Sequence, residues 1–411
     1  MPEFLKLANA DEARQLLYDA MQGAALKTEL VPSAQAAGRY LTEEIVSEEF
    51  LPPFTRSSMD GYAVQAKDTR GASESLPIYL KIIGEVPMGA EPQFILASGQ
   101  AALIHTGGML PEGADAVVIL ELSQKTPANE LEVYKAVAPG ENVIFKGEDV
   151  KPGQTVLTAG RRIRPAEIGG LLALGKMEVR VAARPHIALL SSGDEVIPPK
   201  QIPQIGQVRD VNSGMLAALI ESEGGIAVSY PILPDNWEQI STVVRQAYQE
   251  NDAVVISAGS SASTRDMTAE AIHQLGEPGV LVHGINIRPG KPTILAYCDG
   301  KPVIGLPGNP VSAMVIAHFF VRPVVRWMQG GIQVLATPTL KARLEMNYAS
   351  QSGRDEWIPV QIERTGSDFI ARPVFFKSNL IFQLAGADGL VYIPRDANGL
   401  EAGTQVEVVV L

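Results

Sequence analysis

Two cations bracket a Pro-Gly pair in the run NIRPGKPT (286–293), where Arg288 and Lys291 flank Pro289 and Gly290. A turn there aims two positive side chains and free backbone N–H groups at one place, which is the chemistry of an anion cradle. It is not a Walker loop, because five residues separate Gly284 from Gly290 and Pro292 stands where Ser or Thr is needed. In PGNPVS (307–312), Pro310 suits the first position of a helix and places Ser312 in the first turn, where backbone N–H groups can hold an oxyanion. Carboxylates recur in SSGDEV (Asp194, Glu195), LPDNW (Asp235) and SAGSSASTRDMT (Asp266). Carboxylates that converge on a phosphate-bearing ligand are the ordinary way to hold Mg2+. Each also has a plainer reading: Asp235, or its neighbour Asn236, and Asp266 as helix N-caps, Asp194 as the cap of its own turn. Asp60 in SSMDGYAV and Thr106 in IHTGGMLPEGADAVV stand beside glycines and read, taken singly, as turn residues. His105, His186, His273, His283 and His318 show no paired ligand spacing, so neither a zinc site nor a triad is expected.

Something must carry these loops to one place. Between 184 and 331 strand-like runs alternate with helical ones: strands at 186–193, 226–232, 253–259, 293–298 and 302–308, helices at 213–223, 237–249, 267–275 and 310–328. That alternation predicts a parallel sheet covered on both faces, with ligands bound beyond the carboxyl ends of its strands. The carboxylate loops and PGNPVS leave such ends. Residues 10–24 read as an amphipathic helix through Ala13, Leu16, Leu17, Ala20 and Met21. Residues 76–158 carry short β-branched runs between Gly and Pro turns, a small β unit. A helical patch at 165–175 returns to the character of the N-terminus, so that region is read as discontinuous. The boundaries expected are 1–46 plus 147–183 for an N-terminal, dimerisation domain, 47–146 for a small β-rich domain, 184–331 for the α/β domain and 332–411 for a C-terminal β-barrel-like domain.

The chain has 411 residues with 34 Lys+Arg and 46 Asp+Glu, a net charge of −12, which argues against a nucleic-acid binder. Hydrophobic residues at 46% and charged residues at 19% exclude disorder as the main state. No run approaches a membrane span and no apolar leader opens the chain, so a cytoplasmic protein is expected. The lone Cys298 reads as a small buried hydrophobe and fits a reducing compartment.

Taken in order, SSMDGYAV, IHTGG..PEGADAVV, KGEDV (146–150), SSGDEV, GQVRDVNS (206–213), NIRPGKP, LPGNPVSA, SGRDEW (352–357) and ADGLVYIP (387–394) resemble the molybdopterin molybdotransferase family, of the MoeA and gephyrin E-domain type. The likeness runs from residue 57 to residue 394. It implies a multidomain α/β plus β architecture, with a three-layer, MogA-like molybdopterin-binding domain at its centre. The activity implied is insertion of molybdate, or tungstate, into adenylylated molybdopterin with Mg2+-dependent release of AMP by a cytoplasmic homodimer. The cleft would lie between the α/β domain of one subunit and the second domain of the other. By position, Asp60 and Thr106 come from the partner's side. Glu195, Asp235 and Asp266 bind the metal, and Lys291 joins them as a catalytic group. Arg288, Gly290, Pro292, Asn309, Ser312, Arg354 and Ser378 hold substrate.

Three departures from the family pattern stand out. AGSSASTRD replaces a GGVSVG…D loop, with Ala258 and Ser263 for glycines, and so resembles the pathway's adenylyltransferase. That paralogue is an alternative reading and a candidate partner, and a non-catalytic gephyrin-like scaffold is another. Ile144 and Phe145 stand where arginines precede KGED. Arg288 replaces the first lysine of KPGK, a change expected to tune the choice between molybdate and tungstate.

Overall fold

The computed structural model describes residues 7–258, 262–331 and 338–411, with the backbone alone for residues 262–266. Its centre is a six-stranded sheet in the order Ile226–Ser229, His186–Ser191, Ala253–Ala258, Lys301–Pro307, Ile294–Cys298, Pro278–His283. The first four are parallel; the last three alternate in direction. Successive residues of one strand face opposite layers, as period-two geometry requires. Ile187 and Leu189 join one core with helices Ala10–Met21, Asn212–Ser222 and Pro310–Ile316. Ala188 and Leu190 join another with Trp237–Glu250 and Ala262–His273. Three layers result.

The sheet departs from the all-parallel expectation in its final arm. Ile294–Cys298 and Lys301–Pro307 form a hairpin around Asp299-Gly300, where Asp299 takes φ 40° and Gly300 φ 92°. Strand Pro278–His283, which the sequence reading missed, opens with proline and holds Gly279 at φ 80°, so its pattern was broken by turn residues. Because its partner runs back, Pro278–His283 points the same way as the four parallel strands. Its exit loop, 284–293, therefore emerges at the edge where their loops emerge.

The helix expected over 310–328 runs as Pro310–Ile316, a π turn at Ala317–Val321, and Arg322–Trp327. Pro323 supplies the cause: it offers no N–H, and its ring crowds the carbonyl one turn earlier. Helix Ala10–Met21 buries Ala13, Leu17 and Met21 in the core of the central sheet. It does not share the core of Ala36, Leu41, Ile45, Ile163, Leu171, Val179 and Val181, in which residues 28–46 and 155–182 meet. Those two stretches are stitched by antiparallel pairs Thr28–Pro32 with Glu178–Ala182 and Ile45–Val46 with Thr155–Leu157.

Two further sheets flank the centre. One, of six strands, runs Ala116–Ile119, Gly61–Val64, Gln100–Ile104, Ile78–Glu85, Glu130–Val133, Ser123–Lys125. The other closes into a barrel, since Asp355–Thr365 pairs with both Asp368–Pro373 and Gly389–Ile393. Thr339–Leu344 and Gln405–Val410 complete it. Ile287–Arg288 adds to this barrel in parallel with Asp355-Glu356. Among the described residues no helix is long and apolar enough to cross a membrane.

Candidate active site

The strand-end loops are stitched to one another by hydrogen bonds. Asp235 N donates to Asp194 Oδ1 at 3.0 Å, Gly193 N to Leu233 O at 3.0 Å and Ser192 N to Ser257 O at 3.0 Å. Asp194 thus ties two loops together instead of capping its own turn. Nor does Asp235 cap the next helix: Asn236 does, its Oδ1 accepting from Gln239 N at 3.1 Å. Asp266 lies inside helix Ala262–His273, not ahead of it, and its side chain is outside the described residues. Buried Asn212 donates to Ser257 Oγ at 2.6 Å and to Gly308 O at 2.8 Å, joining the start of helix Asn212–Ser222 to the end of strand Ala253–Ala258 and to the PGNPVS turn. Asn212 Oδ1 and Ser192 Oγ are buried at this edge with no hydrogen-bond partner among the described residues. Orphans of that kind are what a bound ligand satisfies.

The anion cradle is held rigidly. Ile285 N donates to Lys291 O at 2.9 Å and Gly284 N to Thr293 O at 2.8 Å, while Asp355 N donates to Asn286 O at 3.2 Å from the barrel. Gly290 sits at φ 123°, and a Cβ there would lie 2.4 Å from Ile316 Cδ1, so only glycine fits. Arg288 Nε stands 3.4 Å from Oε1 of Glu356, a carboxylate whose side chain is 2% exposed and whose other oxygen accepts from Ser350 Oγ. Across the gap, Asn309 donates to Ser378 Oγ at 3.0 Å, and Val311 N to Ser378 O at 3.0 Å.

The result is a pocket of about 400 Å3 between the central sheet and the barrel. Arg288, Gly290, Lys291, Pro292, Ser312, Arg354 and Ser378 all line it. Asn309 touches it through Ser378. A fourth cation, Lys377, and the ring of Tyr348 also line it; the sequence reading passed over both. Lys377 precedes Ser378 directly, which was the available signal. Tyr348 lies outside every motif. Four cations and two hydroxyls in so small a volume suit a compact, multiply charged oxyanion.

The other predicted residues fall into two groups. Glu195 and Asp235 stand on the loops that Asp194 joins. Among the described residues no three His, Cys, Asp or Glu side chains converge as a metal site. Asp60 and Thr106 do meet each other: Thr106 N donates to Asp60 Oδ1 at 2.8 Å. That bond holds the exposed Asp60 carboxyl below the ordinary carboxylate range. His105 Nδ1 lies 3.7 Å from Asp60, with its Nε2 3.0 Å from Glu85 Oε1. Histidine spacing in the sequence carries no sign of this contact, because both carboxylates come from other segments of the same sheet. Asp60 and Thr106 do not line the cation pocket. Nearby, Val143–Ile144 pairs with Arg56–Ser57 and leaves Phe145 exposed.

Comparison with known proteins fits this layout. Residues 8–175 match the description "MoeA N-terminal region (domain I and II)", residues 188–327 "Probable molybdopterin binding domain" and residues 341–411 "MoeA C-terminal region (domain IV)". Molybdopterin molybdenumtransferase 2 of Mycobacterium tuberculosis is 31% identical over 92% of this chain and 94% of its own. The chain belongs to the MoeA family. A molybdopterin molybdenumtransferase of Staphylococcus aureus is 29% identical over 90% of this chain and 88% of its own. The crystal structure of a molybdopterin biosynthesis MoeA protein from Pyrococcus horikoshii covers 99% of this chain and 100% of its own, at 32% identity and a TM-score of 0.81. The multidomain α/β plus β class read from the MoeA motifs is therefore the class observed.

Proposed function

We propose that this MoeA-family chain is a molybdopterin molybdenumtransferase of molybdenum-cofactor biosynthesis. It takes molybdate, or tungstate, and adenylylated molybdopterin, and releases AMP. The observation that carries this reading is the pocket in which Arg288, Lys291, Arg354 and Lys377 surround Ser312 and Ser378. A tetrahedral oxyanion there would be met by four cations gathered from the cradle and the barrel, which stabilise its charge as the reaction proceeds. Asn212 and Ser192, with their orphaned buried atoms, offer polar contacts to the rest of the substrate at the neighbouring strand ends. The proposed division of the chain is 1–46 plus 147–183, 47–146, 184–331 and 332–411, except that helix Ala10–Met21 packs with the central domain.

A divalent ion fits the donor set. Mg2+ commonly takes only one or two carboxylates and fills its shell with water and substrate phosphate oxygens. Glu195 and Asp235 are assigned that role, and Asp266, whose side chain is outside the described residues, is assigned with them. When bound, Mg2+ neutralises charge on the pyrophosphate and its leaving group. Asp60 and Thr106 are assigned to the cleft from the partner subunit of a cytoplasmic homodimer. The low pKa of Asp60 keeps it an acceptor, suited to orienting a substrate proton rather than donating one.

The test is AMP release from adenylylated molybdopterin by the purified chain, with and without molybdate and Mg2+. Release should depend on both, and Lys291→Ala should abolish molybdate-dependent release, since the cradle holds the molybdate or the substrate phosphate, while leaving the circular dichroism of the fold unchanged. Binding without release by the native chain would favour the scaffold reading. Normal turnover by Lys291→Ala would remove the cradle from the mechanism.

A further inference from the structure

The cation pocket has an aromatic shoulder that anion binding alone does not require. Tyr348 lines the pocket and is itself only 9% exposed. Phe375 stacks on it, with ring centroids 5.5 Å apart and planes 16° from parallel. Yet Phe375 is 61% exposed. One face of its ring is therefore spent on Tyr348, and the rest of the side chain is open to solvent. It directly precedes Phe376, Lys377 and Ser378, all of which line the pocket. A large aromatic held in place by a stacked neighbour loses little side-chain entropy when a second ring covers it. Phe375 stands just outside the lining itself, so an open aromatic face at the rim of a cation pocket matches a ligand in which a planar ring is joined to an anion.

We propose that Phe375 is a positioning residue that stacks on the planar heteroaromatic ring of the ligand whose anionic end occupies the cation pocket. This rests on the reading of that pocket as an anion site, and deepens it by naming the second element recognised. Charge complementarity decides the occupant. A purely apolar partner would have to cover Lys377 and Arg354 without satisfying them, whereas a heteroaromatic phosphate ester satisfies both the cations and the ring. Two rings share this chemistry, a purine and a pterin, and the measurement separates them.

The native chain is titrated by calorimetry with ribose 5-phosphate, with AMP, and with 6-hydroxymethylpterin phosphate. All three carry a phosphate; the first has no aromatic ring. Stacking on an aromatic side chain predicts that at least one aromatic phosphate binds about tenfold more tightly than ribose 5-phosphate. Whichever does so identifies the ring. Phe375→Ala should erase that ratio while leaving the ribose 5-phosphate affinity as it was, and Phe375→Trp should restore it. Three results overturn the proposal. The native chain could bind all three ligands equally, or Phe375→Ala could keep the ratio. Alternatively, Phe375→Ala could weaken ribose 5-phosphate as much as the aromatic ligands, which would make Phe375 a wall of the pocket and nothing more. All three leave the anion pocket standing. Failure of every ligand to bind the native chain would remove the pocket reading and the stacking inference together.

Discussion

Lys377 and His318 show how little of a side chain's role resides in its type. Lys377 becomes one of four cations only because the barrel's Pro373–Leu380 stretch folds back against the cradle. His318 sits on the π turn, 4% exposed, against the Phe319 ring, with Arg322 Nη1 3.5 Å from its Nε2. Burial first, and then the charges of Arg322 and Arg326 against that of Glu223, push its pKa down to about 4. The unfolded chain protonates His318 near its ordinary value, so between about pH 6.5 and about pH 4 the unfolded state binds more protons. Stability is then lost as pH falls through that window and is unaffected by this residue above it. At pH 5 the loss attributable to His318 is about 2 kcal/mol relative to pH 7.5. Urea unfolding at the two pH values should show a smaller acid loss for His318→Gln than for the native chain. An equal loss in both would place the acid sensitivity elsewhere.

At the scale of elements, the decisive feature is the antiparallel arm. A wholly parallel sheet would have sent the NIRPGKPT loop to the opposite edge or required another crossover helix. The hairpin at Asp299-Gly300 keeps it at the edge where the parallel strands end, and pairing of Ile287–Arg288 with Asp355-Glu356 joins it to the barrel. A Cβ on Gly290 would run into Ile316 of helix Pro310–Ile316. Gly290→Ala should therefore displace the loop from Ile316 and weaken inorganic phosphate binding by about tenfold or more, since both the positive φ and the contact oppose a side chain. The same variant should keep a cooperative unfolding transition. Unchanged phosphate affinity would show that the cradle tolerates movement and that its rigidity is not part of recognition.

At the scale of the whole molecule, the residues proposed for one reaction lie on two surfaces of a single chain. The cation pocket joins the central sheet to the barrel, while the Asp60–Thr106 pair belongs to the outer six-stranded sheet. The proposed homodimer with a shared cleft would reconcile them, and that proposal predicts complementation. Asp60→Asn and Lys291→Ala should each abolish turnover alone. When the two are mixed and allowed to exchange subunits, half the dimers are mixed and each has one intact site, so about a quarter of native activity returns. No recovery, with exchange demonstrated by differently tagged chains, would place both residues in the same subunit's site.

The motifs by themselves determined the family and the alternation of strands and helices that makes a three-layer core, and they singled out NIRPGKP as the proposed anion cradle. These are local signals, carried by glycines, prolines and side-chain periodicity, and they survive without knowledge of the fold. Strand Pro278–His283 was hidden because turn residues occupy its start, and the break at Ala317–Val321 because apolar periodicity continues across it. Asp194 looked like a turn cap until its acceptor role toward Asp235 N appeared, and His105 looked unpaired until Asp60 and Glu85 were placed beside it. Only tertiary structure could decide those roles, because each partner lies on a different strand or loop. The joining of Arg288 and Lys291 to Arg354, Lys377 and Ser378 was settled in the same way. It depends on the barrel docking against the central sheet, a contact between segments about 60 to 90 residues apart that no local pattern encodes.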